Sequence, residues 1–160
     1  MQDALAAFVE EYRDKESIPA VGSAVVIDVK TGGVLACATY PSYDLSTYYD
    51  NYAALAADTD SPLWNRALLS TYAPGSTMKP AIAVAGLEEG VITETSTFRC
   101  TRYYTYFTDT VFRCTGYHGS IDVKEALNQS CNIFFYETGR LLGIERMNEY
   151  CSRFGLGQKT

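Results

Sequence analysis

Two β-prone runs, Ser23-Ala24-Val25-Val26-Ile27-Asp28-Val29 and Val34-Leu35-Ala36-Cys37-Ala38-Thr39, flank Lys30-Thr31-Gly32-Gly33. Glycine supplies the positive φ that a tight reversal needs, so the pattern predicts a β-hairpin. Its strands are nearly continuously apolar, as in a sheet covered on both faces, and a lone hairpin is not stable in water. Further elements must pack on it. Residues 3–15 place Leu5, Phe8, Val9 and Tyr12 on one helical face, with acids and Arg13 opposite, and predict an amphipathic helix as one cover. No other strong strand follows. The chain on its own is therefore expected to dimerise by edge-strand pairing or swapping, or to be marginally soluble.

Residues 41–72 break into Pro-Ser, Asp-Thr-Asp-Ser-Pro and Tyr-rich pieces, which predicts a long connection with one helical turn at 53–57. The thirteen tyrosines fit extended, amphipathic surface segments. A helix is expected over 76–89, closed by Gly90, and residues 93–119 read as irregular or weakly β. Three short helices follow at 122–128, 132–142 and 145–153, punctuated by Gly143 and ended by Gly155 and Gly157. Helix, hairpin, then mostly helices is the order of an α+β domain with a helical lobe. With 47% hydrophobic residues among 160, the chain can bury a core. Thirteen Lys and Arg are scattered among nineteen acids for a net charge of −6, which leaves no basic stripe for nucleic acid. No run of eighteen apolar residues crosses a membrane, and the acidic N-terminus is unlike a signal peptide.

Chemistry concentrates in Tyr72-Ala73-Pro74-Gly75-Ser76-Thr77-Met78-Lys79-Pro80. Pro80 has no amide hydrogen and is tolerated only in the first helical turn, so a helix must begin close to Ser76. That sets a serine hydroxyl at a helix N-terminus, where unpaired amides favour negative charge. Lys79, one turn on, can fold back toward the hydroxyl and, once desolvated, act as its base. Alternatively, Ser76 is an N-cap and Lys79 a solvated side chain. Ser130-Cys131-Asn132 lies between two helical segments, where Ser130 and Asn132 can point into one cleft or cap the following helix.

Together the two motifs resemble the S-x-x-K and S-x-N elements of penicillin-binding proteins and class A β-lactamases. Asp28-Val29-Lys30-Thr31-Gly32-Gly33, Pro41-Ser42-Tyr43-Asp44, Asn65-Arg66-Ala67, His118-Gly119 and Phe154-Gly155-Leu156-Gly157 add to the resemblance, which runs over residues 18–160. It is similar to the transpeptidase domain of class B, high-molecular-weight penicillin-binding proteins. The resemblance implies an incomplete transpeptidase fold and a D,D-transpeptidase that cross-links peptidoglycan stem peptides. Ser76 would be the acylated nucleophile, Lys79 its base, Ser130 a proton relay and Asn132 a hydrogen-bonding partner of the substrate amide. The Ser76 amide would form half of an oxyanion hole. β-Lactams would acylate the same serine. No Lys-Thr-Gly strand, the third element of the family, follows the second motif, since Lys159-Thr160 comes after a helix exit and Lys30-Thr31-Gly32 lies in the hairpin turn ahead of Ser76. Residues 1–160 are thus expected to be the N-terminal part of one transpeptidase domain, from a membrane-anchored parent at the extracytoplasmic face. The isolated piece should be inactive or weak. A β-lactam sensor or hydrolase, or a non-catalytic wall-binding module, are the rival readings.

Five cysteines at irregular spacing exclude a small disulfide scaffold. Cys100, Cys114 and His118 are close in sequence and are favoured zinc ligands, with Asp109, Asp122 or Cys151 able to complete a structural tetrahedron. A Cys100–Cys114 disulfide and free thiols are equally open. Cys131 lacks a histidine to activate it as a nucleophile, and Cys37, in an apolar strand, reads as core. Catalysis itself calls for no cofactor.

Overall fold

The computed structural model describes residues 1–13 and 20–159, and the chain divides into two compact units, Met1–Tyr72 and Ala73–Thr160. The first unit contains α1 (Gln2–Tyr12), β1 (Gly22–Ile27), β2 (Val34–Tyr40), α2 (Tyr48–Ala57) and α3 (Arg66–Leu69). β1 and β2 form the expected antiparallel hairpin, with Val25 opposite Cys37. Asp28 makes the reversal: its carboxylate accepts from the Lys30 amide and the Thr31 hydroxyl, and Gly32 takes a φ of 73°. α1 lies so close to the hairpin that a Cβ on Gly22 would stand 3.1 Å from Val9. Arg66 is buried, its guanidinium donating to the carbonyls of Asp60, Ser61 and Trp64.

Five expectations for this unit need correction or limits. Val25, Val26, Ile27, Val34 and Leu35 are exposed, so among the described residues the hairpin is not covered on both faces. Cys37 is exposed rather than core, because strand side chains alternate and Ala38 takes the inward position. The region expected to hold one helical turn forms the ten-residue α2. Its tyrosines occupy helix rather than extended chain, with Tyr48 and Tyr52 at i,i+4 and ring centroids 5.6 Å apart. The last residues of the expected first helix, 14 and 15, lie outside the described residues.

The second unit contains α4 (Lys79–Glu88), β3 (Phe98–Cys100), β4 (Tyr103–Tyr104), β5 (Phe112–Arg113), β6 (Gly119–Ile121), α5 (Val123–Asn128), α6 (Asn132–Leu142) and α7 (Ile144–Arg153). β3 pairs with β6 and β4 with β5, both antiparallel. A capping box between Asp122 and Glu125 starts α5. The core gathers on α6, where Phe134 is fully buried against Phe98 and Phe135. Burying such a ring contributes about 1.5–3 kcal/mol. α4 approaches α6 at Gly86, where a Cβ would lie 2.8 Å from Thr138 Cγ2. The helix expected over 76–89 starts differently: Gly75–Met78 is a 3₁₀ turn and α-helix begins at Lys79. Pro80 has no N–H to give the Ser76 carbonyl, which accepts from the Lys79 amide instead. Among the described residues, no helix is long and apolar enough to cross a membrane.

Candidate active site

The second unit brings all four expected catalytic residues together. Ser76 is exposed in the 3₁₀ turn, while Lys79, in the first turn of α4, is buried. The Lys79 ammonium donates to the Ser130 carbonyl at 2.6 Å, to Ser130 Oγ at 3.0 Å and to Asn132 Oδ1 at 2.7 Å. Ser130 Oγ in turn donates to Ser76 Oγ at 3.0 Å. Lysine was expected to fold directly onto the nucleophile. It reaches Ser76 through the Ser130 hydroxyl instead, because its ammonium is engaged by three oxygens of the Ser130–Asn132 loop. Burial lowers the Lys79 pKa, with the thiols of Cys114 and Cys131 opposing the shift. A lysine so placed is closer to giving up its proton near neutral pH than a solvated one.

Neither Ser130 nor Asn132 caps a helix. Cys131 holds the N-cap position of α6 without a side-chain bond, and Asn132 is its first helical residue. Ser130 has a φ of 51°, a left-handed conformation that costs a non-glycine residue about 1–3 kcal/mol. The flanking Cys131 amide, bonded to the Ala126 carbonyl, and the Lys79 contacts hold it there. Asn132 Nδ2 donates to the Arg113 carbonyl at 3.1 Å, which fixes the amide so that Oδ1 faces Lys79. The part played by Arg113 has no sequence signal, since a backbone carbonyl is the same in every residue. Lys159 lies on no strand, as expected from its position after α7.

Directly behind this loop lie Cys100, Cys114, His118 and Cys131, whose ligand atoms are all within 4.8 Å of one another. Cys114 Sγ is 3.6 Å from His118 Nδ1 and 3.9 Å from Cys131 Sγ. Zn–S bonds of ~2.3 Å in a tetrahedron separate sulfurs by roughly 3.8 Å, so the donors fit a zinc ion in both type and spacing. The fourth member is Cys131, not Asp109, Asp122 or Cys151. Sequence reasoning placed Cys131 only in the second motif, because the chain reversal that brings its sulfur beside Cys114 is a tertiary feature. The five cysteines stand without a disulfide in this structure, Cys100 and Cys114 included. The Asn132 amide donates to Cys114 Sγ at 3.2 Å. Burial alone would raise the Cys114 pKa, but the amides of Gly116, Asn132 and Ile133 bring it below the ordinary thiol value. Burial pushes Cys131 the other way.

Known proteins carry the same sequence pattern and fold. Residues 22–160 match the penicillin binding protein transpeptidase domain. The chain is 37% identical over 147 residues to the peptidoglycan D,D-transpeptidase MrdA of Escherichia coli K12, covering 85% of this chain and 23% of that protein. It thus spans about a quarter of the length of that curated relative. A Pseudomonas aeruginosa PBP2 crystal structure, in complex with WCK 5153, aligns with a TM-score of 0.80 and 36% identity, over 98% of this chain and 36% of that one. Penicillin-binding protein A of M. tuberculosis, solved as its penicillin G acyl-enzyme, aligns with a TM-score of 0.74 and 27% identity, over 86% and 34%. The fold is accordingly an incomplete α+β penicillin-binding fold, and the chain belongs to the penicillin-binding protein transpeptidase family.

Proposed function

We propose that residues 1–160 form the N-terminal part of a D,D-transpeptidase domain that cross-links peptidoglycan stem peptides through an acyl-enzyme at Ser76. The observation that carries this reading is the hydroxyl chain from Lys79 through Ser130 to Ser76. With Lys79 neutral, the two hydrogen bonds reverse: Ser76 gives its proton to Ser130 as its Oγ attacks the substrate carbonyl, and Ser130 passes one to Lys79. The C–O bond forms as the C–N bond breaks, and the proton returns through Ser130 to the departing amine. An acceptor amine on a second stem peptide then attacks the ester: the C–N bond forms as the C–O bond to Ser76 breaks, and the proton lost by the amine returns to Ser76 Oγ through Lys79 and Ser130. The Ser76 amide, in the opening turn, serves as one oxyanion donor. In a β-lactam the departing nitrogen stays tethered, which traps the acyl-enzyme. The working place is the extracytoplasmic face of the bacterial membrane, in a membrane-anchored parent. The decisive experiment supplies the full-length parent with a donor pentapeptide and an acceptor amine. Cross-linked product that vanishes in Ser76→Ala supports the reading. Hydrolysis without transfer would make the protein a hydrolase, and no turnover with intact binding would make it a wall-binding module.

We further propose that Cys100, Cys114, His118 and Cys131 hold one structural zinc. Bound there, the ion would fix a fold that otherwise relies on short strands. Cys131 lies between Ser130 and Asn132, and Cys114 accepts from the Asn132 amide, so the ligands also hold the catalytic loop. Close to one zinc per purified chain is expected. A metal-free protein whose peptide map links Cys100 to Cys114 would establish the disulfide instead.

A further inference from the structure

The turn between β4 and β5 carries an aromatic shelf that the catalytic chemistry does not use. Tyr104, Tyr106, Phe107, Phe112 and Tyr136 form a connected set of rings with centroids 5.1–6.4 Å apart. Tyr104 anchors the set from below, its hydroxyl donating to Glu137 Oε2 at 2.6 Å. Tyr106, Phe107, Phe112 and Tyr136 keep 58%, 46%, 42% and 37% of their surface in solvent. An apolar cleft of about 250 Å³ opens between Tyr104, Phe107, Phe112, Tyr136 and Arg140. A second cleft, about 290 Å³ and more polar, is lined among others by Arg99, Tyr103, Tyr104, Tyr106 and Glu137.

Guanidinium groups edge the shelf. Arg140 lies over the Tyr106 ring at 4.6 Å while paired with Glu137, and Arg113 lies over Tyr103 at 5.6 Å. Residues 98–118 contain Arg99, Arg102 and Arg113 against the single acid Asp109, in a chain whose net charge is −6. This surface therefore suits a ligand that is both flat-faced and anionic. It is continuous with the catalytic loop, because the Arg113 carbonyl next to Phe112 accepts from Asn132 Nδ2.

We propose that the shelf binds the glycan strand that carries the stem peptide; this rests on the transpeptidase reading above. A sugar ring has a C–H face and a rim of hydroxyls. The face stacks on an aromatic ring and the rim meets the tyrosine hydroxyls, while peptide carboxylates pair with Arg99 and Arg113. Because the peptide is covalently attached to the glycan, a peptide bound at Ser76 brings sugars within one peptide length of that serine, and the shelf begins at that loop. The rings are already packed on one another, so little side-chain freedom is lost on binding.

The test titrates the full-length protein with two probes: soluble uncross-linked peptidoglycan strands, and the same stem peptides freed from glycan by an amidase. Ser76 is first acylated with benzylpenicillin to occupy the catalytic cleft. Strands are expected to bind the acylated protein, and free peptides at least about tenfold more weakly, as for the loss of one aromatic stacking contact. Phe107→Ala should cost about tenfold in strand affinity and Phe107→Trp should restore it. Tyr106→Ala, at a more exposed ring, repeats the reading if Phe107→Ala lowers the melting temperature. Equal affinity for strands and free peptides, or strand binding indifferent to both substitutions, would overturn the proposal. The benzylpenicillin mass adduct reports separately on Ser76. Were no adduct to form, the transpeptidase reading would fail while strand titration of the unmodified protein still measured the shelf.

Discussion

Segments Met1–Tyr72 and Ala73–Thr160 use apolar residues in opposite ways. The buried apolar cluster runs from Ile82 to Tyr150 and falls wholly in the second segment. In the first, Val9 and Ala38 are buried while Val25, Val26, Ile27, Val34 and Leu35 face solvent. The contrast shows what each part asks of its surroundings. Helices α4 to α7 and the short strands between α4 and α5 bury one another's faces and so hold the Ser76, Lys79, Ser130 and Asn132 constellation. The hairpin, by contrast, presents a row of apolar side chains that only an additional layer or strand would cover.

The largest effect that would break this comparison lies in the second segment. Lys79→Ala and Lys79→Arg in the full-length parent should both slow penicillin acylation by about 10²–10⁴-fold, since arginine keeps the charge but cannot accept a proton. Stopped-flow labelling that finds Arg as good as Lys would move the base elsewhere. Next, Phe134→Ala should destabilise the fold by about 3–5 kcal/mol in denaturant titrations. Leu35→Ala, at an exposed strand position, should stay within about 0.5 kcal/mol in the same 160-residue chain. Similar losses at both sites would erase the distinction between the segments. Cys114→Ser should release zinc and, at free zinc a thousandfold above Kd, remove about 4 kcal/mol of metal-linked stability, visible as a lower Tm. An unchanged Tm on chelation would remove the metal from the account. The smallest effect concerns the hairpin edge: sedimentation of the 160-residue chain should show self-association that Val26→Lys weakens.

Much of this was legible in local sequence. The Asp28-to-Gly33 reversal and the alternation of helices from 122 to 153 depend on turn chemistry and periodicity, which neighbours in sequence determine. Ser76 and Lys79 stand out because Pro80 places a helix start close to them and because, with Ser130 and Asn132, they resemble the paired motifs of the family. Other features depend on tertiary contacts. Lys79 turns toward Ser130 because that loop folds over it, Cys131 joins Cys100, Cys114 and His118 through chain reversal, and α2 was hidden by tyrosines whose helical i,i+4 pairing competes with their β preference. Cys37 faces outward for a simpler reason: in a continuously apolar strand, composition cannot say which face is inside.

The central claim, that Ser76 is the nucleophile and Ser130 only its relay, is tested most directly by peptide mapping of the benzylpenicillin adduct in the full-length parent. The adduct should fall on the peptide bearing Ser76 and disappear in Ser76→Ala. An adduct on Ser130 or Cys131, or one that persists in Ser76→Ala, would contradict it.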